Sequence, residues 1–508
     1  MHLKTLFGFV FLISVFLFSD IDKAYALNEI SAEEMVMDNP EHSESEGLQV
    51  HEESSEHGEE AHHSALEPAG WAVIPFVLLL SLIAIGPLLF EHFWHKNYPK
   101  IAVALAAIVL AYYLLFLGNT HEPVHAFFEY FQFISLLSAL FIASGGILIN
   151  IDKEGKPLTN VILLLIGAVI ANLIGTTGAS MLLIRPFIRL NRNRVKPYHI
   201  VFFIFIVSNI GGSLTPIGDP PLFLGFLKGV PFQWTVIHNI LPWAFGISLL
   251  LILFYLYDRR NTSNYFPDEE FNYSGKLSIR GKKNFVWLAI IIIAVFLDPN
   301  LPGFEWVPGV EINGATFSFV RELIMLSCAF FSYKFGNTDL LKENDFDFEP
   351  IREVAFIFIG IFATMMPALQ MVGEFAQSPA GAKLITHNTL YWGTGFLSGF
   401  LDNAPTYLNF LAAAMASKGA SISDFDAVVE FARNGFADST LQLKAISIAA
   451  VFFGALTYIG NGPNFMVKSI SEQIGIKMPS FFGYILRFSI PILIPLLFLV
   501  WLIFFAFA

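Results

Sequence analysis

The sequence predicts an all-α polytopic membrane protein, with two inverted repeats that each hold a re-entrant hairpin and a discontinuous helix, and about 10–11 membrane helices. Three observations carry this expectation. The 508 residues are 55% hydrophobic and 14% charged, with 55 Phe and a mean hydropathy of +0.61, a membrane composition. Apolar runs recur near the roughly 20 residues that cross a bilayer as helix. A ten-residue pattern rich in Gly and Pro occurs twice inside such runs.

Residues 1–26 combine Lys4, an apolar stretch and Ala24-Tyr25-Ala26, the marks of a signal peptide or a retained first membrane helix. Both fates leave the next segment on the same side of the membrane. Residues 27–67 carry 13 Asp and Glu and no Lys or Arg, a composition expected to stay disordered and solvated outside the cytoplasm. Their His42, His51, His57, His62 and His63 suit metal capture or pH sensing, but lack a fixed ligand spacing. This acidic segment accounts for the whole net charge of -13, so the membrane body is electrically balanced. No basic stripe with interleaved aromatics supports nucleic-acid binding. The single Cys328 excludes a disulfide within the chain, a cysteine zinc site and a CxxC motif; it reads as a packed thiol at lipid depth.

The first repeat, 68–258, contains apolar runs at 71–90, 101–118 and 131–151, a hairpin around Gly175, and runs at 199–226 and 234–257. A polar cytoplasmic loop is expected up to residue 283. The second repeat, 284–508, has runs at 284–297, 319–335 and 354–372, a hairpin around Asn403, and runs at 443–466 and 481–508. Basic residues fall on alternate loops: Lys96 and Lys100; Arg189, Arg192, Arg194 and Lys196; Arg259 to Lys283; Lys334, Lys342 and Arg352; Lys468 and Lys477. The loops at 119–127 and 298–314 have none. The positive-inside rule therefore sets the acidic segment in the periplasm of a bacterial inner-membrane protein. Both hairpins must then dip in and return, from opposite faces. Within the spans, Arg321 with Glu322 and Arg352 with Glu353 read as structural pairs, and Glu374 and Lys444 as interfacial.

The repeat is explicit in residues. Gly212-Ser-Leu-Thr215-Pro-Ile-Gly218-Asp219-Pro220-Pro221 aligns with Gly454-Ala-Leu-Thr457-Tyr-Ile-Gly460-Asn461-Gly462-Pro463, sharing G-x-L-T-x-I-G-[DN]-x-P. Gly218 and Gly460 supply backbone freedom, Asp219 and Asn461 are good N-caps, and Pro220 and Pro463 suit the first turn of a restarting helix. The hairpin tips are Gly175-Thr176-Thr177-Gly178-Ala179-Ser180 and Asp402-Asn403-Ala404-Pro405-Thr406. Irregular backbone at membrane depth lines a cavity or is buried in protein. Matched interruptions in two halves point to a transporter's binding site, so the four breaks are expected to converge.

At these residues the sequence resembles the ion-transporter superfamily of divalent anion/sodium symporters, citrate-type carriers and NhaD-type sodium/proton antiporters. Ser208-Asn209-Ile-Gly-Gly-Ser-Leu-Thr-Pro-Ile-Gly218-Asp219 is similar to the antiporters' NAGGAWSPIGD signature, and Leu401-Asp402-Asn403-Ala404-Pro405 to their DN-x-P hairpin. Pro220-Pro221 stands where those antiporters tend to have Val and Thr. The resemblance covers most of the chain after about residue 68. It implies homodimers with elevator-like alternating access.

The side chains favour a cation. Asp219 and Asp402 are the only carboxylates in the breaks, and no Lys or Arg lies inside the breaks beside them. A charge at that depth is costly unless compensated or functional. A carboxyl group there can hold a proton and surrender it to an arriving cation, and that competition is antiport. Na⁺ is therefore expected at Asp219 and Asp402. Thr177, Ser180, Ser208, Asn209, Thr215, Asn403, Thr406, Thr457, Asn461 and Asn464 supply neutral oxygens that suit a hard cation. Asp219 also fits a plain helix cap, whereas Asn403 can cap the second hairpin and leave Asp402 for function. The expectation is a Na⁺(Li⁺)/H⁺ antiporter with no cofactor beyond its transported ions. Sodium-coupled di- or tricarboxylate transport is the alternative, because half-helix N-termini attract anions. No HExxH, GxSxG or P-loop pattern suggests an enzyme.

Overall fold

In a computed structural model, the described residues are 68–151, 153, 155–192, 194–261, 277–301, 303–312, 315–344 and 346–507. The expected signal segment and His-rich acidic segment lie outside them. Helices dominate the described residues, which also include two short antiparallel strand pairs. Among the described residues, eight helices are long and apolar enough to cross a membrane, and the shorter apolar helices Gly70–Ile83 and Lys283–Ala294 accompany them. The chain is an all-α polytopic membrane protein.

One group of helices forms a support. Glu91–Ala111, His121–Gly145, Val320–Lys334 and Glu349–Gln377 pack together. The Phe133 and Phe358 rings stack at 4.6 Å, and the Tyr130 hydroxyl donates to the Ala355 carbonyl at 3.0 Å. Gly360 lies so close to Ala102 that a Cβ there would meet the Ala102 Cβ at 3.0 Å, the small-residue approach typical of membrane helices.

Three of these four helices begin earlier than hydropathy indicates. Glu91–Ala111 starts ten residues ahead of the apolar run at 101, because Trp94 and Tyr98 sit four apart on its buried face while Lys96 and Asn97 lie on other faces. His121–Gly145 likewise includes His125 and Glu129, both buried. In the segment expected to be a polar loop from 258 to 283, the described residues include regular structure. Asp258 still belongs to Phe232–Arg259 and is fully buried, and Leu277–Arg280 pairs antiparallel with Leu148–Ile151.

The second group holds the hairpin and the broken helix of each repeat. Pro157–Leu190 is two helical arms hinged at Gly175, whose φ of 78° and ψ of 155° break the helix. Its counterpart is His387–Phe400 followed by Asn403–Ala416. Pro197–Ile206, a 3₁₀ turn Ile210–Leu214, and Pro220–Lys228 make the first broken helix. Ser439–Phe453, a 3₁₀ turn Gly454–Leu456, and Gly462–Gln473 make the second. Both restart on extended residues, Asp219 and Asn461, with Pro in the first two helical positions. That is the helix-start chemistry the repeated motif spells.

A buried clasp closes the base of the first hairpin. Asp258 accepts from Asn160 Nδ2 at 2.9 Å, Arg194 Nη1 at 2.8 Å and the Tyr198 hydroxyl at 2.7 Å. One carboxylate thereby ties both hairpin ends to the start of the first broken helix and the end of Phe232–Arg259. Arg321 is not at an exposed interface: it is 2% exposed and bridges Glu322 and Asp298, each at 2.6 Å. Cys328 is buried among apolar side chains.

Candidate functional site

The four breaks meet at Asp219, which is 1% exposed. Thr176 Oγ1 donates to Asp219 Oδ1 at 2.7 Å, Asn461 Nδ2 to the same oxygen at 3.0 Å, and Asn403 Nδ2 to Oδ2 at 2.7 Å. These three donors come from the first hairpin tip, the second broken helix and the second hairpin tip. A buried carboxylate is tolerable when such charge-assisted bonds replace its water. Asp219 therefore ties the two repeats together across the pseudo-symmetric centre.

The expected capping roles are reversed. Asp219 occupies an N-cap position but its side chain makes no cap bond. At the second hairpin Asp402, not Asn403, is the cap: its Oδ1 accepts from Ala404 N at 3.0 Å. Asn403 is the first helical residue and gives its amide to Asp219. The reason is tertiary: Asn403 is claimed by the opposite repeat, which leaves its neighbour to satisfy the helix start.

Asp402 faces a cavity of about 410 Å³ whose walls include Gly175, Thr177, Gly178, Gly218, Asn461 and Gly462. Asp347, Glu349, Glu353 and Arg185 also line it. The charge balance of the walls is four carboxylates to one guanidinium. Gly178 is a wall residue but not an interruption, since the arm after Gly175 stays helical through it.

Behind the carboxylates lies an amide and hydroxyl layer. Asn209 Nδ2 donates to Asn464 Oδ1 at 2.6 Å and Asn461 Nδ2 to Asn209 Oδ1 at 3.2 Å. Asn464 Nδ2 reaches the Gly454 and Thr457 carbonyls at 2.8 and 2.9 Å. The Ser180 and Ser208 hydroxyls pair at 2.7 Å. Thr215 and Thr457 occupy matching places: each hydroxyl donates to a carbonyl of the neighbouring hairpin's first arm, Asn172 at 2.6 Å and Gly399 at 2.7 Å. Thr406 bonds back to the Asp402 carbonyl at 2.9 Å. For these three threonines the hydroxyl proton is committed to a carbonyl, so they brace backbone.

The interruptions themselves are close-packed. A Cβ on Gly218 would meet the Gly212 carbonyl oxygen at 2.0 Å, and one on Gly460 would meet the Gly454 oxygen at 2.7 Å. A Cβ on Gly212 or Gly454 would in turn approach the Gly218 or Gly460 oxygen. Thr176 N donates to the Gly218 carbonyl at 2.8 Å, so hairpin tip and broken helix are one backbone unit. Pro405 lies in the first turn after Asp402.

Residues 65–505 match a family model described as putative citrate transport. The chain belongs to that family. It is a citrate-transporter-like secondary transporter and a multi-pass membrane protein. No curated protein matches the chain.

For a member of the citrate-transport family, the site contains three residues that sequence reasoning does not single out. Thr176 is visible in the tip motif but is spelled like its neighbour Thr177. Asn172 sits one turn before the tip. It accepts from Leu214 N at 2.9 Å and donates to the Gly211 and Ala168 carbonyls at 2.6 and 2.9 Å. Arg185 is 7% exposed and lines the cavity. It stands ten residues beyond Gly175, outside the breaks themselves, so the breaks hold no basic residue while the cavity still contains one. A buried ion pair also escapes the sequence pattern: Lys228 Nζ contacts Glu129 Oε1 at 2.7 Å, with His125 Nδ1 3.5 Å from the same oxygen. It links the first broken helix to the support helix His121–Gly145.

Proposed function

We propose that this transporter exchanges Na⁺ or Li⁺ for protons at Asp402 and Asp219. The observation that carries the reading is the asymmetry between the two carboxylates. Asp219 is held by three neutral donors from three elements, which suits an anchor that polarises the centre. Asp402 has one cap bond and faces a cavity rich in carboxylates, which suits a group that trades a proton for a cation. Thr177 and Asn461 add neutral wall oxygens of the kind Na⁺ accepts. The hairpins and broken helices move against the support as an elevator within a homodimer. The protein sits in a bacterial inner membrane with its acidic N-terminal segment in the periplasm, and the cavity then opens inward, because Arg185, Glu349 and Gln473 at its walls lie towards the basic loops. Everted vesicles test this. Na⁺ should collapse a preformed pH gradient, and Asp402→Asn should abolish the response; normal exchange by that variant removes the assignment.

The second reading is sodium-coupled carboxylate transport. The family match and the Arg185 guanidinium in the cavity wall favour it, since Arg recognises carboxylates through paired donors. Na⁺-driven uptake of labelled citrate, lost in Arg185→Gln, would establish it. Antiport by the same variant at the parental rate, without citrate uptake by the parent, would exclude it.

A further inference from the structure

A second concavity lies away from the four breaks. It has a volume of about 700 Å³ and is lined by Trp234, His238, Arg433, Asn434, Asp438 and Lys444 among others. Among the described residues neither Arg433 nor Lys444 forms an ion pair. The Lys444 ammonium is instead held 5.1 Å from the Phe504 ring centroid and 5.7 Å from that of Phe505. His238 Nδ1 is engaged with the Trp234 carbonyl at 2.8 Å. The wall thus offers two cations and an imidazole against one carboxylate, Asp438.

Depth and surroundings say what such a cleft meets. His238 and Lys444 lie six and five residues into the candidate spans Phe232–Arg259 and Ser439–Leu456, so about 8–9 Å from the helix ends. A lysine at that level snorkels to the headgroup layer. Beside the cleft Ile237 is 64% exposed and Leu241 66% exposed on the same helix, a strip four residues apart that faces acyl chains. Basic groups above an exposed aliphatic strip match the two ends of a lipid. A small soluble anion would need no strip.

We propose that this cleft binds an anionic phospholipid, its phosphate held by Arg433 and Lys444 and an acyl chain laid along Ile237 and Leu241. The proposal does not depend on the cargo. It is tested on the full-length protein purified in neutral detergent and titrated with phosphatidylglycerol, phosphatidylcholine, inorganic phosphate and citrate, with bound ligand counted by native mass spectrometry. Phosphatidylglycerol should bind at least about tenfold more tightly than phosphatidylcholine. Arg433→Gln and Lys444→Gln should each weaken it about fivefold and together about 25-fold. Arg433→Lys should keep most of the affinity, which separates lost charge from lost structure. Equal binding of the two lipids, or parental affinity in the double variant, overturns the proposal. Displacement of the lipid by phosphate or citrate at matched concentration also overturns it, and assigns the cleft to a soluble anion.

Discussion

Gly218→Ala is the sharpest probe of the broken-helix geometry. The added Cβ would sit 2.0 Å from the Gly212 carbonyl oxygen and 3.0 Å from that of Thr215, where ordinary contact begins at 3.4 Å. Both obstacles are backbone, so the chain itself has to move by about 1.4 Å. Asp219 follows directly, and a shift of that size breaks the bonds of 2.7–3.0 Å from Thr176, Asn403 and Asn461. Misplacement by about 1 Å in a positioned site costs on the order of 100-fold in rate. The control is Gly373→Ala in the helix Glu349–Gln377, which does not line the cavity and where the nearest atom to an added Cβ is the Ala416 Cβ at an ordinary 3.7 Å. Reconstituted into liposomes at equal density, Gly218→Ala should lose about 100-fold in transport rate, and Gly373→Ala should stay within about threefold of the parent. Parental transport by Gly218→Ala would refute the claim that the Gly212–Gly218 contact sets the site.

Other consequences are independent of that substitution. Thr176→Val removes one donor to Asp219 at constant shape and should weaken half-maximal cation activation about tenfold or more, on the scale of a bond to a charged group; Thr176→Ser should restore it, and an unchanged Thr176→Val would remove Thr176 from the site. Lys228→Met strands the buried Glu129 carboxylate and should lower the thermal midpoint in detergent, on the scale of about 3–5 kcal/mol. Adding Glu129→Gln should recover most of that loss, whereas additive losses would contradict a direct pair. Asp258→Asn leaves the Arg194 guanidinium without its carboxylate and should loosen the base of the first hairpin, read as faster proteolysis near residues 191–196; unchanged cleavage would contradict the clasp.

The breaks are legible in the sequence because their chemistry is local. Gly at a close approach, Asp or Asn before a helix start, and Pro in its first turn are demanded by backbone sterics, and the chain repeats them in both halves. The hairpin hinge at Gly175 is legible for the same reason. What sequence does not distinguish is how polar side chains share partners across the fold. Thr176 and Thr177 are identical in composition and both line the cavity, yet only Thr176 binds Asp219. Asp402 and Asn403 exchange their expected roles because capping is decided by which neighbour is claimed from the opposite repeat. Helix starts such as Glu91 are displaced because hydropathy averages over a polar face and a buried one carrying Trp94 and Tyr98. Glu129 and Lys228 lie 99 positions apart, and nothing local marks them as a pair.

Antiport of this kind requires one carboxylate to exchange a proton for a metal ion. The direct measurement is proton release from purified protein in weakly buffered detergent when NaCl is added, with choline chloride as the ionic-strength control. The parent should release protons saturably with Na⁺, and Asp402→Asn should release none. Release of equal size from both proteins, or none from the parent at any pH between about 6 and about 9, around the neutral range, would contradict the central claim.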